Sequence, residues 1–207
     1  MMADPSFWDK AAKKYAASPI KDMAAYEETL GRTRHYLERT DHLLEVGCGT
    51  GTTALTLAGA VRQVTATDLS GKMLEIAKGK LADRGVANVR FQQCKITEPL
   101  NNAPFDAICA FSILHLVDDL PATLSHLYSQ LKPGGYVISK TACLHDMNMF
   151  IPPMIKLMKV FGKAPHVLLF DAATLENAFR DAGLEVVETG YFGKNRSARF
   201  IVAQRPG

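Results

Sequence analysis

Residues 43–51 constrain the fold more than any other stretch, because an apolar run, an acid and three alternate glycines follow one another there. An apolar run of this length bounded by glycine is typical of a buried strand, and residues 52–60 after it suit a helix. Glycine lets the backbone turn tightly and lets a ligand lie against the main chain. The stretch therefore predicts a strand, a turn and a helix that together form a nucleotide-binding corner.

The glycine spacing argues against two common nucleotide loops. A Gly-x-x-x-x-Gly-Lys-Ser/Thr loop needs glycine where Thr52 stands and a lysine after it. A Gly-x-Gly-x-x-Gly dinucleotide turn needs glycine at the same position, whereas Gly51 comes one place early. The spacing of Glu45, Gly47, Gly49 and Gly51 instead resembles the first motif of class I S-adenosylmethionine-dependent methyltransferases.

This resemblance covers nearly the whole chain and includes Leu-Lys-Pro-Gly-Gly at residues 131–135, which is typical of the family. The overall pattern is most similar to small ubiquinone- and menaquinone-biosynthesis-type enzymes. It implies an α/β fold with a Rossmann-like, seven-stranded, mostly parallel sheet, one antiparallel strand and helices on both faces. We expect a single domain over residues 1–207, with a helical N-terminal lid in 1–40 and an inserted lid or substrate segment in 143–169.

Composition narrows the class of protein and its partners. Hydrophobic residues make up 47% and charged residues 22%, which is ordinary for a globular domain. The net charge is +3 with no basic run, so no nucleic-acid partner is expected. The four cysteines form no Cys-x-x-Cys pair, and there is neither a signal-peptide pattern nor an apolar run of spanning length. These features predict a cytoplasmic protein with reduced thiols and no metal site.

The periodicity predicts the remaining elements in outline. Helices are expected over residues 7–17, 21–39, from Ser70 onward, 120–131 and 171–182. Further strands are expected over 63–68, around 88–93, over 105–111 and over 136–141. In residues 132–135, proline ends the preceding helix and the glycines permit a turn into the fifth strand. Residues 185–190 and 199–203 alternate like two edge strands that form a hairpin.

Asp68 ends the second predicted strand, about 20 positions beyond Gly47, where a carboxylate accepts hydrogen bonds from ribose hydroxyls. The alternative is that Asp68 caps the helix from Ser70. Met73, one turn into that helix, lies either near the adenine or in the core.

The turn after the third strand departs from the resembled family. There the family commonly carries an acid that bonds the adenine amino group, followed by an apolar residue against the ring. Here Lys95 and Ile96 stand at those positions, and lysine has only donors. Either Gln93, a backbone carbonyl or Glu98 takes over the adenine, or cofactor affinity is weakened.

The loop after the fourth strand should face the reactive methyl group, because ligands collect beyond the carboxyl ends of parallel strands. This loop begins at Phe111 and Ser112 and carries His115. An imidazole there can act as a general base, shape the pocket, or bond the amino acid end of the cofactor. Asp118 and Asp119 are expected to cap the next helix, with a metal site as the weaker alternative.

Two further stretches are candidates for contact with ligands. In the resembled family an N-terminal aromatic closes over the cofactor after a Trp-Asp-x-x-Ala pattern, which starts here at Trp8 and places Tyr15 in that role. The second stretch is rich in methionine, a flexible residue that suits adaptable apolar surfaces. It is interpreted as a lid over an apolar acceptor, as a basic amphipathic segment that touches a membrane through 147–163, or as an ordinary packed helix. The candidate substrate-binding residues are Met149, Met154 and Met158.

Together these patterns predict an S-adenosylmethionine-dependent methyltransferase that acts by in-line displacement on a small apolar or amphipathic acceptor of quinone, lipid or secondary-metabolite type. The alternatives are a non-catalytic S-adenosylmethionine-binding regulatory protein and an RNA methyltransferase. The candidate cofactor-binding residues are Tyr15, Glu45, Gly47, Cys48, Gly49, Gly51, Asp68, Leu69, Met73, Lys95, Ile96, Phe111 and Ser112.

Overall fold

The computed structural model of the protein describes residues 5–146, 166–193 and 198–207. The helices in this part of the chain are α1 (Ser6–Ala17), α2 (Met23–Arg34), α3 (Thr52–Leu57), α4 (Gly71–Arg84), α5 (Leu120–Ser129) and α6 (Ala172–Asp181). The strands are β1 (His42–Val46), β2 (Gln63–Asp68), β3 (Val89–Gln93), β4 (Phe105–Phe111), β5 (Leu131–Ala142), β6 (Glu185–Gly190) and β7 (Ala198–Gln204). A short 3₁₀ turn, Ala58–Ala60, follows α3.

The strands form one sheet in the order β3-β2-β1-β4-β5-β7-β6. Strands β1 to β5 pair in parallel, and β7 is antiparallel to both of its neighbours. The predicted fold class, with one antiparallel strand, is confirmed. The prediction of two edge strands is wrong for β7, which lies between β5 and β6. Its residues 200–203 are accordingly buried, as an interior strand requires.

Core side chains cover both faces of the sheet. Successive side chains of a strand point to opposite faces, and Leu43 and Leu44 of β1 are both almost completely buried. Leu44 packs in a cluster with Leu124 of α5 and Phe179 of α6. Leu43 packs in a second cluster with residues of α3 and α4. Because both faces are covered, the place at which a ligand can reach the sheet is the edge formed by the carboxyl ends of the parallel strands.

Three boundaries differ from the sequence prediction. Helix α5 ends at Ser129 rather than at residue 131, because β5 begins at Leu131. Helix α2 ends at Arg34 rather than at residue 39, because turns of the i to i−3 type take over and lead into β1. The predicted turn at residues 132–135 lies within β5, where the register with β4 shifts. Gly134 has φ +78° and donates its N–H to Arg205, and Gly135 accepts the Arg205 N–H. A partner distant in sequence therefore keeps these residues in the sheet.

No helix in the described ranges is long and apolar enough to cross a membrane. The predicted substrate residues Met149, Met154 and Met158 lie outside the described residues, as does the whole of the segment 147–163 proposed to touch a membrane. These assignments stay predictions.

Candidate cofactor site

The glycine loop follows β1 at the middle of the sheet and precedes α3. Gly47, Gly49 and Gly51 all have positive φ angles, of 65°, 53° and 74°. The Gly51 N–H donates to the Cys48 carbonyl, and the Cys48 N–H donates to Thr67 at the end of β2. The loop thus turns sharply over the ends of β1 and β2, as the sequence predicted. The Cys48 side chain is buried, and burial raises the pKa of its thiol.

The three glycines are not equivalent. A Cβ atom on Gly47 would lie 2.6 Å from Cγ1 of Ile113, and one on Gly51 would lie 2.6 Å from Cζ of Phe91. On Gly49 the nearest atom would be Cε1 of Tyr15, at 3.8 Å. Gly47 and Gly51 are therefore required by packing, whereas Gly49 leaves room in which a ligand can approach the main chain.

Glu45 is a buried acid two residues before this loop. Its carboxylate accepts the backbone N–H of Ala54 in the first turn of α3, while its Oε2 atom is buried without a partner among the described residues. Burial raises the pKa of the carboxyl to about 8. An unpaired buried acceptor of this kind fits a cationic or donor group of a ligand, such as the amino group of S-adenosylmethionine.

Asp68 links the end of β2 to the glycine loop. Its Oδ2 atom accepts the Gly49 N–H and its Oδ1 atom accepts the Ser70 N–H, each at 2.8 Å. The N-cap of α4 is Ser70, whose Oγ atom accepts the Met73 N–H at 3.1 Å. The alternative that Asp68 caps this helix is therefore wrong. Burial raises the pKa of Asp68, and its role toward ribose stays a prediction.

Residues expected near the adenine lie around the turn after β3. The side-chain amide of Gln93 donates to the Leu69 carbonyl at 2.9 Å, and the Glu98 carboxylate accepts the Lys95 backbone N–H at 3.1 Å. Ile96 is partly buried against the core. The Glu98 carboxylate, the Gln93 carbonyl oxygen and a backbone carbonyl all stay predicted acceptors for an adenine amino group, with weakened cofactor affinity as the alternative. Met73 is 2% exposed, as the core alternative requires, and its adenine contact stays a prediction.

The loop after β4 contacts the glycine loop through Ile113. Phe111 is half-buried at the end of the strand, and Ser112 has φ +54° and donates its N–H to Lys140 of β5. A positive φ at a residue other than glycine is strained, and such strain clusters at functional sites.

His115 lies further along the same loop. Its carbonyl accepts the Leu168 N–H at 2.8 Å, and its Nδ1 atom is buried without a partner in the described part of the chain. Burial lowers the pKa of the imidazole to about 4, so the ring is neutral near pH 7. The predicted cap of α5 is confirmed for Asp119, which accepts the Ala122 N–H at 2.9 Å. Within the described ranges, no cluster of three or more His, Cys, Asp or Glu could hold a metal ion.

Helix α1 lies against this corner. The Tyr15 ring approaches Gly49, as noted above, although 54% of the residue is exposed. It meets Trp8 edge-to-face, with ring centroids 6.5 Å apart. Asp9 accepts hydrogen bonds from the Ser70 hydroxyl at 2.5 Å and from the Lys72 N–H at 3.2 Å. Sequence reasoning assigned no role to Asp9, although the acid belongs to the Trp-Asp-x-x-Ala pattern that pointed to Tyr15.

The sequence model of the methyltransferase-domain family matches residues 8–189. This chain belongs to that family. The match covers α1, the glycine loop, the β4 loop and β6, so it contains every described residue assigned to the site. Membership confirms the prediction that the chain is an S-adenosylmethionine-dependent methyltransferase.

Curated relatives carry methyltransferase names. The chain is 27% identical to the O-methyltransferase cnsE of Penicillium expansum over 186 residues, which is 88% of this chain and 64% of that protein. It is 30% identical to the demethylmenaquinone methyltransferase of Lactococcus lactis subsp. lactis over 171 residues, which is 70% of this chain and 66% of that protein. The chain therefore spans just under two thirds of the length of each.

Solved structures share the fold. One is a chain from the complex between the Haloferax volcanii Trm112 methyltransferase activator and the putative methyltransferase. It superposes with a TM-score of 0.78 at 16% identity, over 100% of both chains. At this identity the likeness shows the architecture alone.

Proposed function

We propose that the protein transfers the methyl group of S-adenosylmethionine to a small apolar or amphipathic acceptor. The observation that carries this proposal is the opening at Gly49, which lies between the acids Glu45 and Asp68. A buried carboxyl oxygen without a partner among the described residues, a glycine whose added Cβ would meet only the exposed Tyr15 ring and a second carboxylate together suit a ligand with an amino group and ribose hydroxyls. Family membership independently supports the same cofactor.

Each of these residues has a distinct task in the proposed site. The Glu45 Oε2 atom would hold the amino group, and Asp68 would accept hydrogen bonds from the ribose hydroxyls. Glu98 or Gln93 would accept the adenine amino group, and Tyr15 would cover the ligand from α1. The cofactor supplies a methyl group that the positive charge of its sulfonium already activates.

The remaining work of the protein is to align the acceptor and exclude water. Alignment of two reactants can lower the barrier of a displacement by about 7–11 kcal/mol, so no protein nucleophile is required. The proposed place for the acceptor is the β4 loop. The neutral, buried Nδ1 atom of His115 would accept a hydrogen bond from an acceptor hydroxyl. With a pKa of about 4, the ring is better suited to orient a hydroxyl than to remove its proton near pH 7.

The relatives support the acceptor class. One is named an O-methyltransferase and another a demethylmenaquinone methyltransferase, so a quinol or hydroxylated aromatic is the proposed type of acceptor. Both names describe longer proteins, of which this chain spans only part.

The proposal is tested by incubating the protein with methyl-labelled S-adenosylmethionine and separate acceptors: a demethylated naphthoquinol, a hydroxylated aromatic, a lipid extract and tRNA. We expect label in a product that an organic solvent extracts. Label in tRNA would establish the RNA-methylating alternative instead. Cofactor binding without a labelled product from any of these acceptors would contradict the proposed acceptor class and favour the regulatory alternative.

Two alanine variants provide a matched comparison in this assay. Gly49 and Gly85 both have left-handed φ angles, of 53° and 62°, so alanine costs each of them about 1–2 kcal/mol of backbone strain. A Cβ atom on Gly85 would meet nothing within 4 Å. The Gly85→Ala variant should therefore keep its methyl-transfer activity. The Gly49→Ala variant should lose this activity although its free energy of unfolding is similar to that of Gly85→Ala. Equal activity of the two variants would place the cofactor elsewhere.

A further inference from the structure

Helix α1 packs against α4, but almost none of its side chains is fully buried. Ala12 is its one buried residue in the described chain, and the residues that join α1 to α2 are all exposed. Apolar burial therefore provides little to fix the helix in place. A segment with few buried contacts opens at low free-energy cost, so the polar contacts of α1 decide its position.

Asp9 makes the polar contacts that join α1 to α4. One oxygen of its carboxylate accepts both the Ser70 hydroxyl and the Lys72 N–H, at the N-terminus of α4. A negative charge is favourable at a helix N-terminus, and hydrogen bonds to a charged acceptor are stronger than neutral ones. Ser70 is itself completely buried, so if α1 moved away its hydroxyl would lose this acceptor.

The same serine belongs to the cofactor site. The Ser70 N–H donates to Asp68, and the other oxygen of Asp68 accepts the Gly49 N–H. A continuous set of hydrogen bonds thus runs from α1 to the glycine loop through Asp9, Ser70 and Asp68. At its other end α1 places Tyr15 opposite Gly49. The helix therefore contacts the residues around the opening at two points, through Asp9 and through Tyr15.

We propose that Asp9 is a positioning residue that holds α1 closed over the cofactor, so that its release from Ser70 and Lys72 controls how fast the cofactor leaves. This inference rests on the proposed function. Asp9 acts through Ser70 and α1 and touches no reacting atom. Loss of its carboxylate leaves the glycine loop and Glu45 intact but frees the helix that carries Tyr15.

The test measures dissociation of S-adenosylhomocysteine by stopped flow. Trp8, the one tryptophan of the sequence, lies on α1 one residue before Asp9 and reports on the position of the helix. The variants are Asp9→Ala, Asp9→Asn, Ser70→Ala and the Asp9→Ala, Ser70→Ala double variant. Alanine favours helix, so Asp9→Ala should leave α1 itself formed. The control is Asp83→Ala, which removes an exposed carboxylate near the opposite end of α4.

We expect Asp9→Ala to raise the dissociation rate about tenfold, from the loss of the charge-assisted contacts to Ser70 and Lys72, with a smaller rise for Asp9→Asn and none for Asp83→Ala. The double variant should dissociate more slowly than the product of the two single effects, because the changes share the Asp9–Ser70 contact. Each change also breaks one contact of its own, from Asp9 to the Lys72 N–H and from Ser70 to the Met73 N–H, so the double variant need not equal either single variant. An unchanged rate in Asp9→Ala would overturn the inference, as would fully multiplicative effects in the double variant, which would mean that Asp9 acts without Ser70. Failure of the unmodified protein to bind S-adenosylhomocysteine would instead refute the proposed function.

Discussion

Glu45 should make the stability of the protein depend on pH in a way that one substitution removes. Burial raises the pKa of its carboxyl from an ordinary 4.5 to about 8. The unfolded chain ionises near the ordinary value, whereas the folded chain keeps the proton until the pH approaches 8. The contribution of Glu45 to stability is therefore fully present below pH 4.5, and it is lost as the pH rises from about 4.5 through 8. Glu45→Gln keeps the shape of the side chain and cannot ionise.

The size of the effect follows from the two pKa values. Each unit of pH well between them changes the free energy of unfolding by about 1.4 kcal/mol. Because the slope is smaller close to each pKa, Glu45 accounts for about 3.5 kcal/mol lost between pH 5 and pH 8. The other titrating groups, including Asp68, are shared by the two proteins and largely cancel in the comparison. Glutamine retains an oxygen that can accept the Ala54 N–H, so this bond is not the source of the difference.

The assay is urea unfolding of the unmodified protein and of Glu45→Gln at both pH values. The unmodified protein should lose about 3.5 kcal/mol more than the variant on going from pH 5 to pH 8. Because glutamine, unlike Glu45, cannot give up a proton and form a charge-assisted bond to the amino group of the cofactor, the variant should also bind S-adenosylmethionine at least about tenfold more weakly at pH 8. Equal losses of stability would show that Glu45 is not held protonated, and the reasoning about its unpaired oxygen would fail.

Three further changes have distinct expected outcomes. Gly51→Ala should lower the free energy of unfolding by about 2–4 kcal/mol in urea, because its Cβ would overlap the Phe91 ring at a left-handed backbone position. Asp119→Ala should cost about 1 kcal/mol through loss of the α5 cap, and Asp119→Asn should restore it; equal stabilities would exclude a capping role. His115→Asn should lower kcat without altering the shape of the kcat/KM profile from pH 6 to pH 8, because the imidazole is already neutral there. An inflection near pH 6.5 that the variant abolishes would show that the pKa of His115 is not lowered.

Much of the fold could be predicted because local sequence carries it. The buried strands β1, β2 and β4 are short apolar or β-branched runs with clear ends, and parallel pairing follows from the helices between them. The start of β5 could not be predicted in the same way. Lys132 to Gly135 have the composition of a turn, and residues distant in sequence hold them in the sheet. Arg205 pairs with Gly134 and Gly135, and the Gln204 side chain donates to the Gly134 carbonyl.

The candidate site could also be predicted only in part, because several of its contacts join residues that are distant in sequence. The glycine spacing identified the loop, but the difference between Gly49 and its neighbours depends on Ile113 and Phe91, which come from other strands or loops. The contact of Asp9 with Ser70 joins residues far apart in sequence, and no local pattern reports it. Periodicity and spacing describe contacts along one element, whereas these contacts arise only when the chain folds.

The most direct test of the central claim is a calorimetric titration of S-adenosylmethionine into the unmodified protein, Gly49→Ala and Gly85→Ala. The claim is that the opening at Gly49 is the cofactor site of a methyltransferase. It predicts binding of one cofactor per chain to the unmodified protein and to Gly85→Ala, with binding lost in Gly49→Ala. No binding to the unmodified protein, or equal affinity in all three proteins, would contradict it.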